Sequence, residues 1–249
     1  MQSVTIIIPV YNESLAIYEL LRRVTAVPLE PLTREVIIVD DGSTDDTVNK
    51  IEAFVADHPR HAPAIKYHRA LINHGKGAAL RAGFVLATGD VIIIQDGDLE
   101  YLPEDYPLLL SPFKDESVNV VYGSRFMNGN PKGMKLPNLV ANKILTWTTR
   151  VLYSQKITDE ATGYKVFRRS ILPSISLKSR GFEFCPEFTS RVLQAGYAIH
   201  EVPIRYDPRG ILEGKKIKAR DGFIALWWLI KLRLAKPFRV IRHSEARLS

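Results

Sequence analysis

The chain has 249 residues, 46% of them apolar and 24% charged, with 15 glycines and 15 prolines. That mixture supplies a buried core for one large domain or two small ones, and it excludes disordered, fibrous and collagen-like chains. The formal charge is +7, but residues 203–249 hold 12 basic against 4 acidic side chains while residues 1–202 hold 22 against 23, so the basicity is C-terminal.

Val4 to Val10 is a continuous apolar, β-branched run, which predicts a strand buried on both faces of a parallel sheet. Leu15 to Val27 repeats apolar residues at helical spacing. Val36 to Val39 predicts a second buried strand ending in Asp40-Asp41-Gly42-Ser43, with Thr44 and Asp45 capping a helix that carries Val48, Ile51 and Phe54. A strand over 65–68, a glycine-punctuated turn over 73–77, a helix over 78–87 and a buried strand over 91–94 follow, the last ending in Gln95-Asp96-Gly97-Asp98. This alternation implies an α/β fold with a central, mostly parallel open sheet, right-handed crossovers and flanking helices. Beyond a strand at 118–122 the pattern reads as a loop over 129–137, a helix over 139–152, a strand over 165–167, a helix over 186–195 and a strand over 199–202. A mobile basic loop is expected over 208–218 and an apolar segment over 223–235. Neither an internal repeat nor a dividing linker is visible. The expected organisation is one domain over 1–222, with a donor half (1–122) and an acceptor half (123–222), and a basic amphipathic tail over 223–249.

Ligands of such a sheet sit beyond the carboxyl ends of its strands, where three polar clusters fall: residues 11–13, 40–43 and 96–100. Asp96-Gly97-Asp98-Leu99-Glu100 places hard oxygen donors either side of a glycine, a set suited to Mg²⁺ or Mn²⁺ that also grips substrate phosphates. Alone such a triplet is equally an acidic turn; its place in series with two other polar strand ends favours the metal. Asp40 and Asp41 belong to turn chemistry and, as adjacent acids that repel, also favour a ligand that donates hydrogen bonds. Tyr11 reads either as a capping aromatic or as a cover for a base, with Asn12 and Glu13 orienting a nucleotide. Asn73-His74-Gly75-Lys76-Gly77 opens a helix and offers backbone N–H groups and one cation to a phosphate. The GxxxxGK[ST] loop is absent, and no GxGxxG follows the first strand, so neither a P-loop nor a dinucleotide site is expected. Glu183 and Glu187, four apart, share a helix face that suits an acceptor site or a helix N-terminus equally.

PVYNES at 9–14, VDDGSTDDT at 39–47, NHGKGAALRAG at 73–83 and DGDLEYLPED at 96–105 resemble the successive motifs of family 2 glycosyltransferases with the Rossmann-like GT-A fold. In the second half GSRF at 123–126, TDEATGYKVFRR at 158–169, GFEFCPE at 181–187 and DPRGILEGKKI at 207–217 resemble the polyprenyl-phosphate sugar synthases, the dolichol-phosphate mannose synthase branch. The resemblance implies that Pro9, Tyr11, Glu13 and Asp41 hold the nucleoside of a sugar nucleotide, Asp41 accepting from a base N–H. Asp96 and Asp98 would bind the metal, with Glu100 standing where mannose synthases often carry glutamine. Lys76 is the phosphate-facing cation of the donor site. Arg125 matches an arginine that meets the acceptor phosphate, and Arg209 one on a flexible loop near the diphosphate. Glu213-Gly214-Lys215-Lys216 replaces the Gly-Glu-Ser-Lys of that branch, which leaves mannose or glucose, and GDP or UDP, open.

The implied reaction is an inverting displacement at the anomeric carbon, with a cation on Asp96 and Asp98, helped by Arg209 and Lys215, stabilising the departing diphosphate. A phosphate monoester acceptor is ionised near neutral pH and needs no base. A glycan hydroxyl acceptor, the second reading, needs Glu183, Glu187 or Asp159 to take its proton. A third reading, an anionic-lipid or nucleic-acid binding module that uses only the basic tail, leaves the three carboxylate clusters without a task, and no nucleic-acid partner is expected. Cys185, the single cysteine, cannot close an internal disulfide, and the N-terminus shows no basic stub with a cleavage site, which leads to the expectation of a cytoplasmic setting. Trp227 and Trp228, beside Lys231 and Arg233, either pack on the domain or lie in a headgroup layer. A lipid-linked acceptor favours the second arrangement and peripheral attachment to the cytoplasmic face of a membrane.

Overall fold

Successive residues of the first strand point into two different cores. The computed structural model describes residues 1–57, 64–208 and 219–235. In β1 (Ser3–Val10), β2 (Thr33–Asp40) and β4 (Val91–Ile94), Ile6, Ile8, Val36, Ile38 and Ile93 face one side, toward Leu20 and Leu21 of α1 (Ile17–Ala26) and Phe54 of α2 (Thr47–Asp57). Ile7, Ile37, Ile92 and Ile94 face the other side, toward Leu80 of α3 (Lys76–Leu86) and Phe188 of α6 (Phe184–Gln194). This two-residue alternation with apolar side chains on both faces is why these strands read as unbroken hydrophobic runs. Each such isoleucine is fully buried and contributes about 1.5–3 kcal/mol.

The sheet has seven strands in the order β3-β2-β1-β4-β6-β5-β7, where β3 is Ala64–Arg69, β5 Val120–Ser124, β6 Lys165–Arg168 and β7 Ile199–Pro203. β1 to β4 are parallel as expected, and β7 runs parallel to β5. The sheet is mostly parallel, as expected, with β6 the exception, antiparallel to both β4 and β5. Its four residues, KVFR, carry no signal of direction, and strand direction is set by where the preceding chain lies. Because β5 ends and β6 begins at the carboxyl edge, residues 125–164 stay at that edge, including α5 (Leu136–Tyr153). The topology thereby delivers the acceptor half to the strand ends that carry the polar clusters.

A short helix, α4 (Tyr106–Leu110), buries Tyr106, Leu109 and Leu110 and was not signalled by any periodicity. The last described helix, α7 (Ala219–Leu234), starts four residues before the expected tail and is docked on the domain. Leu229 and Ala225 are buried against Leu145 of α5, Tyr153 Oη donates to the Leu229 carbonyl at 3.0 Å, and Gln194 Nε2 donates to that of Leu232 at 2.5 Å. The described part of the expected tail, 223–235, therefore packs on the domain, while 236–249 lie outside the described residues. Among the described residues no helix is long and apolar enough to cross a membrane. Leu229→Ala should lower stability by about 2–5 kcal/mol in urea titrations, as for any large-to-small change in a packed core; an unchanged midpoint would mean that α7 is not part of the cooperative unit.

Candidate active site

The polar strand ends are clasped to one another by their own side chains. Asn12 has φ 50°, a left-handed conformation that asparagine tolerates. Its N–H donates to Ser43 Oγ at 2.9 Å and its Oδ1 accepts from the Thr44 N–H at 2.8 Å. The Glu13 N–H donates to Thr47 Oγ1 at 2.8 Å, which ties residues 11–13 to the turn after β2. Asp40 is fully buried and accepts from the Ser43 N–H and hydroxyl, so it serves the turn. Asp45 accepts from both the N–H and the hydroxyl of Thr47, which opens α2 three residues later than the Thr44 cap expected.

Asp41 reaches instead to the start of α3. Its Oδ1 accepts from the His74 N–H at 2.8 Å and its Oδ2 from the Gly75 N–H at 2.7 Å. Beside it lies a cavity of about 540 Å³ lined by Asp41, His68, Leu71, Ile72 and His74, large enough for a heterocyclic base. The start of α3 is in turn pressed against residues 179–181. Gly75, at φ 97°, and Gly77 approach so closely that an added Cβ would lie 2.4 Å from the Arg180 carbonyl oxygen and 2.7 Å from that of Ser179. Glu187 and Glu183 hold that segment from behind. Glu187 is fully buried and accepts from the N–H groups of Lys178 and Ser179, while Glu183 accepts from those of Arg180 and Gly181. The expectation that Glu187 faces an acceptor is therefore corrected: its carboxylate braces the backbone on which the N-terminus of α3 rests.

At the end of β4, Gln95 is fully buried, accepts from the hydroxyls of Tyr106 and Tyr164 at 2.8 and 2.7 Å, and donates to the Asp96 carbonyl at 3.0 Å. This sets the backbone of the acidic motif from beneath. Asp96 Oδ1 contacts the ammonium of Lys76, the first residue of α3. A cation at a helix N-terminus opposes the helix dipole, and the Asp96 carboxylate offsets that cost. Burial alone would lower the pKa of Lys76, but Asp96 and Asp98 outweigh it and the net shift is upward. The other Asp96 oxygen borders Gly163, where an added Cβ would lie 2.5 Å from Oδ2. Asp98 is buried and its Oδ1 accepts from the Glu100 N–H at 3.0 Å. Glu100 is directed elsewhere: its Oε2 accepts from the Tyr206 hydroxyl at 2.9 Å and its carbonyl from the Asp207 N–H. Glu100, the expected third ligand, thus tethers residues 206–207; among the described residues no three carboxylate, imidazole or thiol groups converge on one point.

Arg125, expected to face a phosphate, is 9% exposed and enclosed. Its Nε and Nη2 donate to the two oxygens of Asp159 at 2.7 and 2.8 Å, and Nη2 also donates to Asn142 Oδ1 at 3.0 Å. The guanidinium lies 5.2 Å from the Tyr206 ring centre, 5.6 Å from Phe126 and 6.0 Å from Tyr101. Asp159 is held by the Glu201 carboxylate, which accepts from the N–H groups of Thr158 and Asp159. Asn142, Glu201 and Tyr206 carry no motif of their own and were missed, as was Tyr101 within the 96–105 motif; only an alternation of β7 that leaves Glu201 facing the site hinted at one of them. Arg209 and Lys215, the expected loop cations, lie outside the described residues.

Residues 5–175 match the family described as glycosyl transferase family 2, and the chain belongs to that family of glycosyltransferases. It is 29% identical over 209 residues to the dodecaprenyl-phosphate galacturonate synthase of Rhizobium johnstonii, covering 82% of this chain and 59% of that protein. It is 29% identical over 254 residues to the dolichol-phosphate mannosyltransferase of Pyrococcus furiosus, covering 99% and 68%. The chain thus spans 59% to 68% of the length of these two relatives. A glucosyl-3-phosphoglycerate synthase from Mycobacterium tuberculosis, solved with Mn²⁺, UDP-glucose and phosphoglyceric acid, superimposes with a TM-score of 0.68 at 17% identity, over 93% of this chain and 80% of that one. The shared fold is GT-A, as expected from the motifs.

Glu187→Ala should cost about 2–4 kcal/mol in chemical denaturation, because two buried N–H groups lose their acceptor. The pH profile of turnover should keep its wild-type shape; loss of its acidic limb, the fall in rate as a base is protonated, would return Glu187 to the role of a proton acceptor.

Proposed function

We propose that the enzyme transfers a hexose from a GDP- or UDP-sugar to a polyprenyl phosphate with inversion at the anomeric carbon. One observation carries the acceptor assignment. Asp159, Glu183 and Glu187, the three carboxylates that transfer to a glycan hydroxyl would need as proton acceptors, are each committed to N–H donors of the protein itself. A sugar hydroxyl needs a base, whereas a phosphate monoester arrives ionised and needs only positioning. The names of the two relatives, a dodecaprenyl-phosphate synthase and a dolichol-phosphate transferase, support the same acceptor class.

The residues at the end of β4 fit a divalent cation. Asp96 and Asp98 supply hard oxygens, and the Asp96 carboxylate keeps its position only because residue 163, packed against its Oδ2, has no Cβ. Such an ion, Mg²⁺ or Mn²⁺, supplies charge neutralisation for the departing nucleoside diphosphate. The chain's own residues do the rest. Asp41, beside the cavity, orients the base; the N-terminus of α3 and Lys76 receive phosphate oxygens. Pro9, Tyr11 and Glu13 border the nucleoside from the first strand end. Arg125, immobilised by Asp159 and Asn142, provides a fixed positive centre at the acceptor edge at no cost in side-chain ordering.

Incubation with radiolabelled sugar nucleotide and polyprenyl phosphate should yield a lipid product cleaved by mild acid; an acid-stable product would contradict the phosphate linkage. Asp96→Asn and Asp98→Asn should each reduce turnover by about 10²-fold or more and weaken Mn²⁺ uptake in calorimetry. Gly163→Ala should weaken the same uptake about tenfold, since its methyl group enters the space beside Asp96; unchanged uptake in all three variants would remove the metal from this site.

A further inference from the structure

Half of the exposed large apolar side chains among the described residues lie on just two helices, α5 and α7. On α5, Leu136, Val140, Ile144, Trp147 and Val151 recur every three or four residues and form one stripe opposite the buried Leu145, Thr148 and Thr149. On α7, Phe223, Ile224, Trp227 and Leu234 are exposed on the side away from the buried Ala225, Leu229 and Leu232. The two helices pack on each other through Leu145, Ala225 and Leu229, so their outer stripes belong to one surface. All three tryptophans of the chain, Trp147, Trp227 and Trp228, lie on them.

Charge selects the occupant. α5 carries Lys143 and Arg150 and no acidic residue; α7 carries Arg220, Lys231 and Arg233 against Asp221 alone. Two copies of so basic a face repel, while an anionic bilayer attracts it and accepts tryptophan in its headgroup layer. The opposite side of α5 reaches the acceptor edge: Asn142 Oδ1 accepts from Arg125, and Thr146 Oγ1 accepts from the Glu160 N–H at 3.1 Å.

We infer that α5 and α7 together form a membrane-docking face for anionic lipid, with α5 as the spacer that holds Arg125 about one helix diameter, roughly 10 Å, from its apolar stripe, so that a stripe sunk at the headgroup–acyl boundary puts Arg125 at the level of the headgroup phosphates. The inference deepens the lipid-phosphate reading and rests on it, since an acceptor anchored by its prenyl chain keeps its phosphate at that depth. It also moves the contact from a C-terminal tail to a surface half of which belongs to the catalytic domain.

Because all three tryptophans lie on these two helices, Trp147 and Trp227 exposed on the face itself, emission reports docking. The full chain, mixed with vesicles of phosphatidylcholine containing phosphatidylglycerol, should show a blue shift and co-sediment, less so at high salt and less so with phosphatidylcholine alone. The triple variant Val140→Ser, Ile144→Ser, Trp147→Ser should partition into these vesicles about tenfold or more weakly, with unchanged thermal stability and unchanged turnover of a short-chain, water-soluble prenyl phosphate. Vesicle binding retained by the variant, no binding by the wild type, or a wild-type dimer in sedimentation velocity that the variant dissociates would each overturn the docking face. Vesicle binding by a wild type that fails to turn over the short acceptor would leave the face standing and remove the acceptor assignment instead.

Discussion

Negative charge crowded at one edge of a buried sheet must be compensated, and that requirement organises this molecule. Asp40, Asp41, Asp96 and Asp98 lie at the ends of β2 and β4, the two parallel strands that flank β1, with little exposure to water. Each accepts from a donor supplied by a neighbouring segment: the Ser43 turn for Asp40, the backbone before α3 for Asp41, Lys76 for Asp96 and the Glu100 N–H for Asp98. Burying a carboxylate without such partners costs several kcal/mol, so the partners are conditions of folding as well as features of a site.

A second line of support runs away from the chemistry. Glu187 and Glu183 hold residues 178–181, those residues press on Gly75 and Gly77, and α3 therefore presents Lys76 to Asp96 in one orientation. Both glutamates act through backbone N–H groups, which fixes position without consuming a side chain of the donor pocket. The fully buried Gln95 does the same below β4 with two tyrosine hydroxyls. Rigid placement of this kind is what separates a preorganised charge pattern from an acidic loop.

The acceptor half depends on topology more than on any single contact. The antiparallel β6 keeps residues 125–164 at the carboxyl edge, so the Arg125–Asp159 pair, α5 and the tether from Glu100 to Tyr206 meet there. One helix thus has two tasks, its inner side completing the coordination of Arg125 and its outer side left apolar and basic.

The donor half was legible in the sequence because its signals are local. Unbroken β-branched runs, turn residues after each strand and acidic pairs at strand ends mark β1, β2 and β4 and the clusters they carry, with element ends displaced by a few residues. The roles of Glu100 and Glu187, the cage around Arg125 and the docking of α7 were not legible, because hydrogen-bond partners such as Tyr206, Lys178 and Asn142 lie from 9 to 106 positions away. The order of residue types along the chain determined the α/β layering, the carboxylate edge and the family motifs, since periodicity and turn chemistry act over a few residues. Only the tertiary structure decided which carboxylates stay available to a ligand and which are spent on backbone N–H groups, because that choice depends on what the fold brings within hydrogen-bonding distance.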